Sequence, residues 1–162
     1  MRTLKIFAKS DIGKAREMNQ DSFYVSDIND GIKLFILADG MGGYKGGEIA
    51  SRLAVDCTRK YICNNFPEIL KEKEEIMKLI RSSIEYANLR VFEKSQEDIE
   101  LKDMGTTLDV CIIYNNKVFI GHVGDSRVYR IRKNIIRKLT TDHSYVEKLV
   151  REGTITKEEA YH

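Results

Sequence analysis

A chain of 162 residues with 42% apolar and 32% charged side chains has the balance of one globular domain, which excludes a disordered polyelectrolyte. Its net charge of +2 creates no field that would draw it to nucleic acid or to an anionic membrane. Its longest apolar runs, such as Leu34 to Ala38, have strand length and cannot span a bilayer, and Met1 to Lys5 lacks the apolar stretch of a signal peptide.

Leu4 to Ala8 alternates loosely, as a strand does. Ser22 to Ile28 and Lys33 to Ala38 are two further strands, and Asn29-Asp30-Gly31 between them is a hairpin signal. A glycine-rich stretch runs from Gly40 to Gly47. The period then changes: Ile49, Leu53, Cys57 and Tyr61 recur at four-residue steps, the stripe of an amphipathic helix that ends before Pro67. A second helix is expected from about Lys73 to Glu93, with Ile76, Ile80, Ile84, Ala87 and Val91 on one face. The acidic segment from Glu93 to Asp103 reads as a mobile connection. Four strands follow: Thr107 to Tyr114, Val118 to Val123, Val128 to Ile131 and Ile135 to Leu139. Asp142-His143-Ser144 reads as a cap for a short helix over Tyr145 to Glu152, and Thr156-x-x-Glu159 as a capping box for another. Strands set apart from a pair of helices indicate α+β with mainly antiparallel sheets. The three scattered cysteines, Cys57, Cys63 and Cys111, form no C-x-x-C pair and read as buried free thiols in a reducing cytoplasm.

Four segments could carry chemistry. In Leu37-Ala38-Asp39-Gly40-Met41-Gly42-Gly43 an apolar strand delivers an aspartate at its end, followed by glycines that leave backbone carbonyls uncovered. Such oxygens suit Mg²⁺ or Mn²⁺, although a hairpin turn with Asp as turn former explains the same residues. Arg16-Glu17-Met18-Asn19-Gln20-Asp21 places an arginine beside acidic groups, which suits phosphate recognition or, equally, a solvated loop. Gly121-His122-Val123-Gly124-Asp125-Ser126-Arg127 delivers a second strand-end aspartate, with His122 expected in the sheet interior rather than as a ligand. Gly105-Thr106-Thr107 reads as a plain strand start. The chain shows no Ser-His-Asp or Cys-x5-Arg nucleophile signature and no G-x-x-x-x-G-K-[ST] phosphate loop, so water activated by metal is the natural alternative.

In order, Ser10-Asp11-Ile12-Gly13 with Arg16 and Asn19-Gln20-Asp21, Ala38-Asp39-Gly40-Met41-Gly42-Gly43, Met104-Gly105-Thr106-Thr107, Gly124-Asp125-Ser126-Arg127 and Thr141-Asp142-His143-Ser144 resemble the metal-dependent protein serine/threonine phosphatases, the PP2C or PPM family, in its bacterial form. The tail from Leu149 to Ala160 is similar to the segment that follows in that family. The resemblance implies an αββα sandwich of two antiparallel sheets flanked by helix pairs. It implies hydrolysis of phosphoserine and phosphothreonine on proteins, in opposition to a Ser/Thr kinase, by a water bridging two Mn²⁺ or Mg²⁺ ions. Asp39 matches the carboxylate that bridges both ions and Gly40 the residue that gives one of them a backbone carbonyl. Asp21 matches an acidic group that reaches the metals through water, Asp125 a ligand of a weaker third ion, and Arg16 the arginine that holds the substrate phosphate. Met41 stands where some eukaryotic relatives carry a histidine proposed as general acid.

The family's later Asp-Gly and Asp-Asn motifs have no counterpart before His162, so the resemblance implies one domain over 1–162 that is C-terminally incomplete, about the first two-thirds of a family domain. With so few carboxylates the chain is expected to bind metal weakly and to show little or no activity. The competing readings are a phosphoprotein-binding or regulatory module of the same fold, which would bind phosphopeptide without metal, and a related phosphatase acting on a sigma-factor regulator.

Overall fold

A computed structural model of the protein describes residues 4–27, 32–69, 72–156 and 158–161. The expected turn at Asn29-Asp30-Gly31 lies outside the described residues. β1 (Asp21–Asp27) and β2 (Lys33–Met41) pair antiparallel. β4 (Leu108–Tyr114) lies along the other side of β2, and β5 (Lys117–Val123) lies along β4, giving the order β1-β2-β4-β5. The two-residue β3 (Gly105–Thr106) pairs with the end of β2. β6 (Tyr129–Arg132) and β7 (Ile135–Lys138) form a second, two-stranded antiparallel sheet. The hairpins at Asn115-Asn116 and Lys133-Asn134 have positive φ at all four residues, as two-residue loops of matching twist require.

Alternation along β2 decides which face is the core. Leu34, Ile36 and Ala38 are buried and share a face with Val110 and Ile112 of β4, their register neighbours. Helices α1 (Gly43–Asn65) and α2 (Lys73–Glu97) cover that face. Ile62, Phe66, Ile76 and Ile80 complete the cluster, each such burial contributing about 1.5–3 kcal/mol. Gly121 of β5 lets α2 lie flat on the sheet, because a Cβ there would stand 2.3 Å from Ile80 Cγ2.

The opposite face carries Phe23, Val25, Phe35, Leu37, Asp109 and Cys111 in cross-strand register. A groove of about 440 Å³ runs between this face, Phe7 to Lys9 and Arg127 to Tyr129. Every residue of β6 and β7 is exposed, and helix α3 (Tyr145–Arg151) has no buried residue. One sheet and one helix pair of the expected sandwich are therefore well developed, and the second sheet is a single hairpin.

Several local expectations need correction. Residues 4–8 are exposed and form no strand, since no strand among the described residues pairs with them. The deepest face of α1 is Ala50, Ser51, Ala54, Thr58 and Ile62, while Ile49, Cys57 and Tyr61 flank it half-buried. Small side chains let this helix approach the sheet closely, and the larger ones fill its flank, as Tyr61 does against the ring of Tyr86. The segment from Glu93 is ordered: α2 runs on to Glu97, and a 3-10 turn (Ile99–Leu101) follows, started by the Asp98 side chain accepting from the Glu100 amide. Buried Leu101 anchors it. The cysteines are half-buried rather than buried. The strand expected over Thr107 to Tyr114 begins at Leu108 as β4, and Thr107 stands between it and the short β3.

Candidate functional site

Asp21 opens β1 and Asp39 lies near the end of β2, and the register sets them directly opposite one another. Like charges in that relation are destabilising in a bare sheet. Burial pushes the Asp39 carboxyl above the ordinary aspartate range, and Asp21 adds to this through its charge and a shared hydrogen bond. Arg16, on the exposed loop before β1, pulls the same carboxyl back down, while the charge of Asp125 raises it further. Three residues singled out from two other motifs, Arg16 and Asp21 from one and Asp125 from the other, thus bear on the Asp39 carboxyl.

The backbone around Asp39 is fixed at both ends. Its N–H donates to Thr107 Oγ1 at 2.9 Å. Its carbonyl accepts from the Thr107 amide at 2.9 Å and lies 3.0 Å from Thr106 Oγ1. Gly40 donates its N–H to the Gln20 carbonyl at 3.1 Å. Only glycine fits at position 40, because a Cβ would lie 2.0 Å from the carbonyl oxygen of Gly47 near the start of α1. Gln20 Nε2 in turn donates to the Gly43 carbonyl at 2.7 Å, tying the loop before β1 to the start of α1. Gly42 takes φ 117° at the helix N-cap. Asn19 supports Asp21: its Oδ1 accepts the Asp21 amide at 3.0 Å, and its Nδ2 donates to Ser10 Oγ at 2.6 Å, while Ser10 reaches Asp21 Oδ2 at 3.4 Å. Met41 is exposed, with its Cε against Gly105.

Asp125 follows Gly124, which has φ 107° at the end of β5. The His143 amide donates to the Gly124 carbonyl at 2.7 Å, and Gly124 donates to His143 Nδ1 at 3.3 Å. The His143 ring lies 4.9 Å from that of His122. His122 is nearly buried, with Nδ1 2.6 Å from Asp109 Oδ1 and Nε2 3.0 Å from the Thr141 carbonyl. Asp142 does not cap α3. It accepts two hydrogen bonds from Arg127, at 2.9 and 2.6 Å, and one from Lys138 at 3.2 Å. Ser144 alone is the cap, accepting the Glu147 amide. The capping box forms between Thr156 and Glu159, but only a 3-10 turn follows.

Thr107, read from sequence as a plain strand residue, holds Asp39 through its side chain. A threonine at a strand start gives no sign of this, because the partner strand is distant in sequence.

The donor set fits a hard divalent cation. Two carboxylates face each other, and one carries a raised pKa, the condition a dication relieves. Among the described residues no three His, Cys, Asp or Glu side chains converge as a ligand cluster.

A sequence model described as protein phosphatase 2C matches residues 13–160. The chain is 38% identical to a putative protein phosphatase 2C-type protein of Streptococcus pyogenes over 97% of its own length and 62% of the relative's. It superposes on serine/threonine phosphatase Stp1 of Staphylococcus aureus with a TM-score of 0.82 at 34% identity, covering 99% of this chain and 65% of that one. It superposes on the catalytic domain of the serine/threonine protein phosphatase PstP, solved in complex with two manganese ions, with a TM-score of 0.77 at 31% identity, over 94% and 62% of the two chains. The chain spans about 60% of the length of the curated relatives it matches. Matched over residues 13–160, with its strand-end aspartates on the expected fold, the chain belongs to the protein phosphatase 2C family.

Proposed function

We propose that this chain carries the leading part of a metal-dependent centre that hydrolyses phosphoserine and phosphothreonine on cytoplasmic proteins, opposing a Ser/Thr kinase. The observation that carries this reading is the pair of opposed carboxylates, Asp21 and Asp39, with Arg16 and Asp125 acting on the same group. Manganese in the related PstP structure supports Mn²⁺ or Mg²⁺ as the ions. Asp39, Asp21 and the Gly40 carbonyl would hold two of them, and Asp125 a weaker third. When bound, the ions supply an activated water and neutralise charge on the transferring phosphoryl group. Arg16 orients the substrate, holding phosphate oxygens with its planar guanidinium. The tied N–H and carbonyl of Asp39 keep its carboxylate aimed without reorganisation during the reaction.

Because few carboxylates converge among the described residues, the chain binds metal weakly and turns over slowly by itself. The test is Mn²⁺-dependent phosphate release from a phosphothreonine peptide, with Asp39→Asn alongside. Slow, chelator-sensitive release that Asp39→Asn abolishes is expected. Release that survives Asp39→Asn contradicts the site, and release at ordinary enzyme rates contradicts the weak-binding part.

A further inference from the structure

Thr107 occupies a position that neither a strand start nor the metal donor set accounts for. The register on either side of it, Leu37 with Asp109 and Gly40 with Thr106, sets Thr107 opposite Asp39. On its other side, the pairing of Leu108 with Val123 sets Thr107 opposite Gly124. Asp21, Asp39, Thr107 and Gly124 therefore form one row across four strands, at the end of the sheet that carries the acidic residues.

The ladder is broken at this row. In a regular antiparallel pair the Asp39 N–H would donate to the Thr107 carbonyl. It donates instead to the Thr107 hydroxyl, and the Thr106 hydroxyl lies within reach of two carbonyls, 2.9 Å from that of Thr107 and 3.0 Å from that of Asp39, its one proton serving one at a time. The same Thr107 hydroxyl lies 2.8 Å from Ser126 Oγ, and either can supply the proton. A hydroxyl has one donor and two acceptor sites, so Thr107 can hold Asp39 and Ser126 together. Gly124 has no room for a side chain against it: a Cβ there would stand 2.6 Å from Thr107 Cγ2. Asp125 sits between these two points of contact, Gly124 and Ser126.

We propose that Thr107, acting through Ser126, is a positioning residue that locks the Asp39 strand end to the Gly124–Ser126 loop, so that Asp39 and Asp125 move as one unit. What the two carboxylates then hold rests on the phosphatase reading above. The lock itself rests only on the hydrogen bonds. Its chemical consequence is that a cation site built on Asp39 inherits the order of a loop on another strand, and loses it when either hydroxyl is removed.

The test uses three variants of the chain. Thr107→Val removes the hydroxyl and keeps the branched shape, Thr107→Ser keeps the hydroxyl, and Ser126→Ala cuts the link while leaving Thr107 on Asp39. Amide hydrogen exchange is followed without metal at Gly124 and His143, which are bonded to each other, and at Asp39. Thr107→Val is expected to speed exchange at Gly124 and His143 about tenfold, the loss expected of one hydrogen bond. Ser126→Ala should do the same there while leaving Asp39 at its wild-type rate, and Thr107→Ser should restore wild-type exchange at all three. Mn²⁺ binding, read by electron paramagnetic resonance, should weaken by about the same factor in Thr107→Val and Ser126→Ala and recover in Thr107→Ser. Wild-type exchange at Gly124 in both Thr107→Val and Ser126→Ala overturns the lock. Absence of Mn²⁺ binding by the wild-type chain contradicts the phosphatase reading alone, and the exchange rates then still decide the lock.

Discussion

Asp21 and Asp39 stand opposite one another across β1 and β2, at the sheet end where Gly40 meets Gly47 of α1. Without a cation this pair opposes folding. Asp39 holds its proton more tightly in the folded chain than in the unfolded one, so its contribution to stability is full below the unfolded value near 3.8 and is lost as pH rises through the higher folded value. With chelator present, Asp39→Asn is therefore expected to match the wild type in acid and to be more stable at neutral pH. The gain for relieving a cross-strand like-charge pair is about 0.2–1 kcal/mol, up to roughly 4 °C in Tm. A wild type that melts above Asp39→Asn at neutral pH contradicts this.

Gly40 and Gly13 separate two reasons for glycine. At Gly40 a Cβ would overlap the Gly47 carbonyl and stand 2.8 Å from the Gln20 carbonyl, so Gly40→Ala must displace α1 from the strand. The expected cost is about 3 kcal/mol or more, read by urea unfolding. At Gly13 nothing lies within 4 Å, and only its φ of 75° resists a side chain, so Gly13→Ala should cost about 1–2 kcal/mol. The reverse ranking would show that the approach of helix and strand is looser than the backbone indicates.

Asp142 behaves oppositely to Asp39 in acid. Its hydrogen bonds from Arg127 and then Lys138 hold its carboxyl below the ordinary aspartate range. Its stabilisation is present above the unfolded value near 3.8 and is lost as pH falls through the lower folded value. Asp142→Asn should cost about 1 kcal/mol at neutral pH, below the usual range for charged hydrogen bonds because Arg127 is half exposed and turns readily to water. The difference from wild type should shrink below pH 3.8 in acid titrations followed by circular dichroism.

Cys111 lies on the outer sheet face beside Phe35, and burial pushes its thiol up to about 11. At pH 8 roughly one thiol in a thousand is thiolate, the reactive form. Iodoacetamide should therefore leave Cys111 unmodified in the folded chain and modify it readily in denaturant, as read by peptide mass spectrometry. Equal labelling in both states would place Cys111 in a more open environment.

Much of the fold was legible because period and punctuation are local. The strand alternation of Lys33 to Ala38, the helical stripe of α2 and the two-residue turns at Asn115-Asn116 and Lys133-Asn134 follow from neighbouring residues alone. The order of motifs pointed to Asp39 and Asp21, which the register brings face to face. Other features depended on distant partners. Leu4 to Ala8 alternates but pairs with no strand among the described residues. The acidic run after Glu93 looks solvated in isolation, yet Leu101 is buried beside Met104 and Ala50. Asp142 looked like a cap until the fold brought Arg127 and Lys138 to it. Thr107 was the costliest omission, because its bond to Asp39 spans 68 residues of sequence.

The most direct test of the central claim is Mn²⁺ titration of the chain, monitored by electron paramagnetic resonance, for wild type and Asp39→Asn at neutral pH. Weak, saturable binding to the wild type that Asp39→Asn removes is expected. Binding of equal strength in both, or none in the wild type, would contradict a metal centre built on the opposed carboxylates of Asp21 and Asp39.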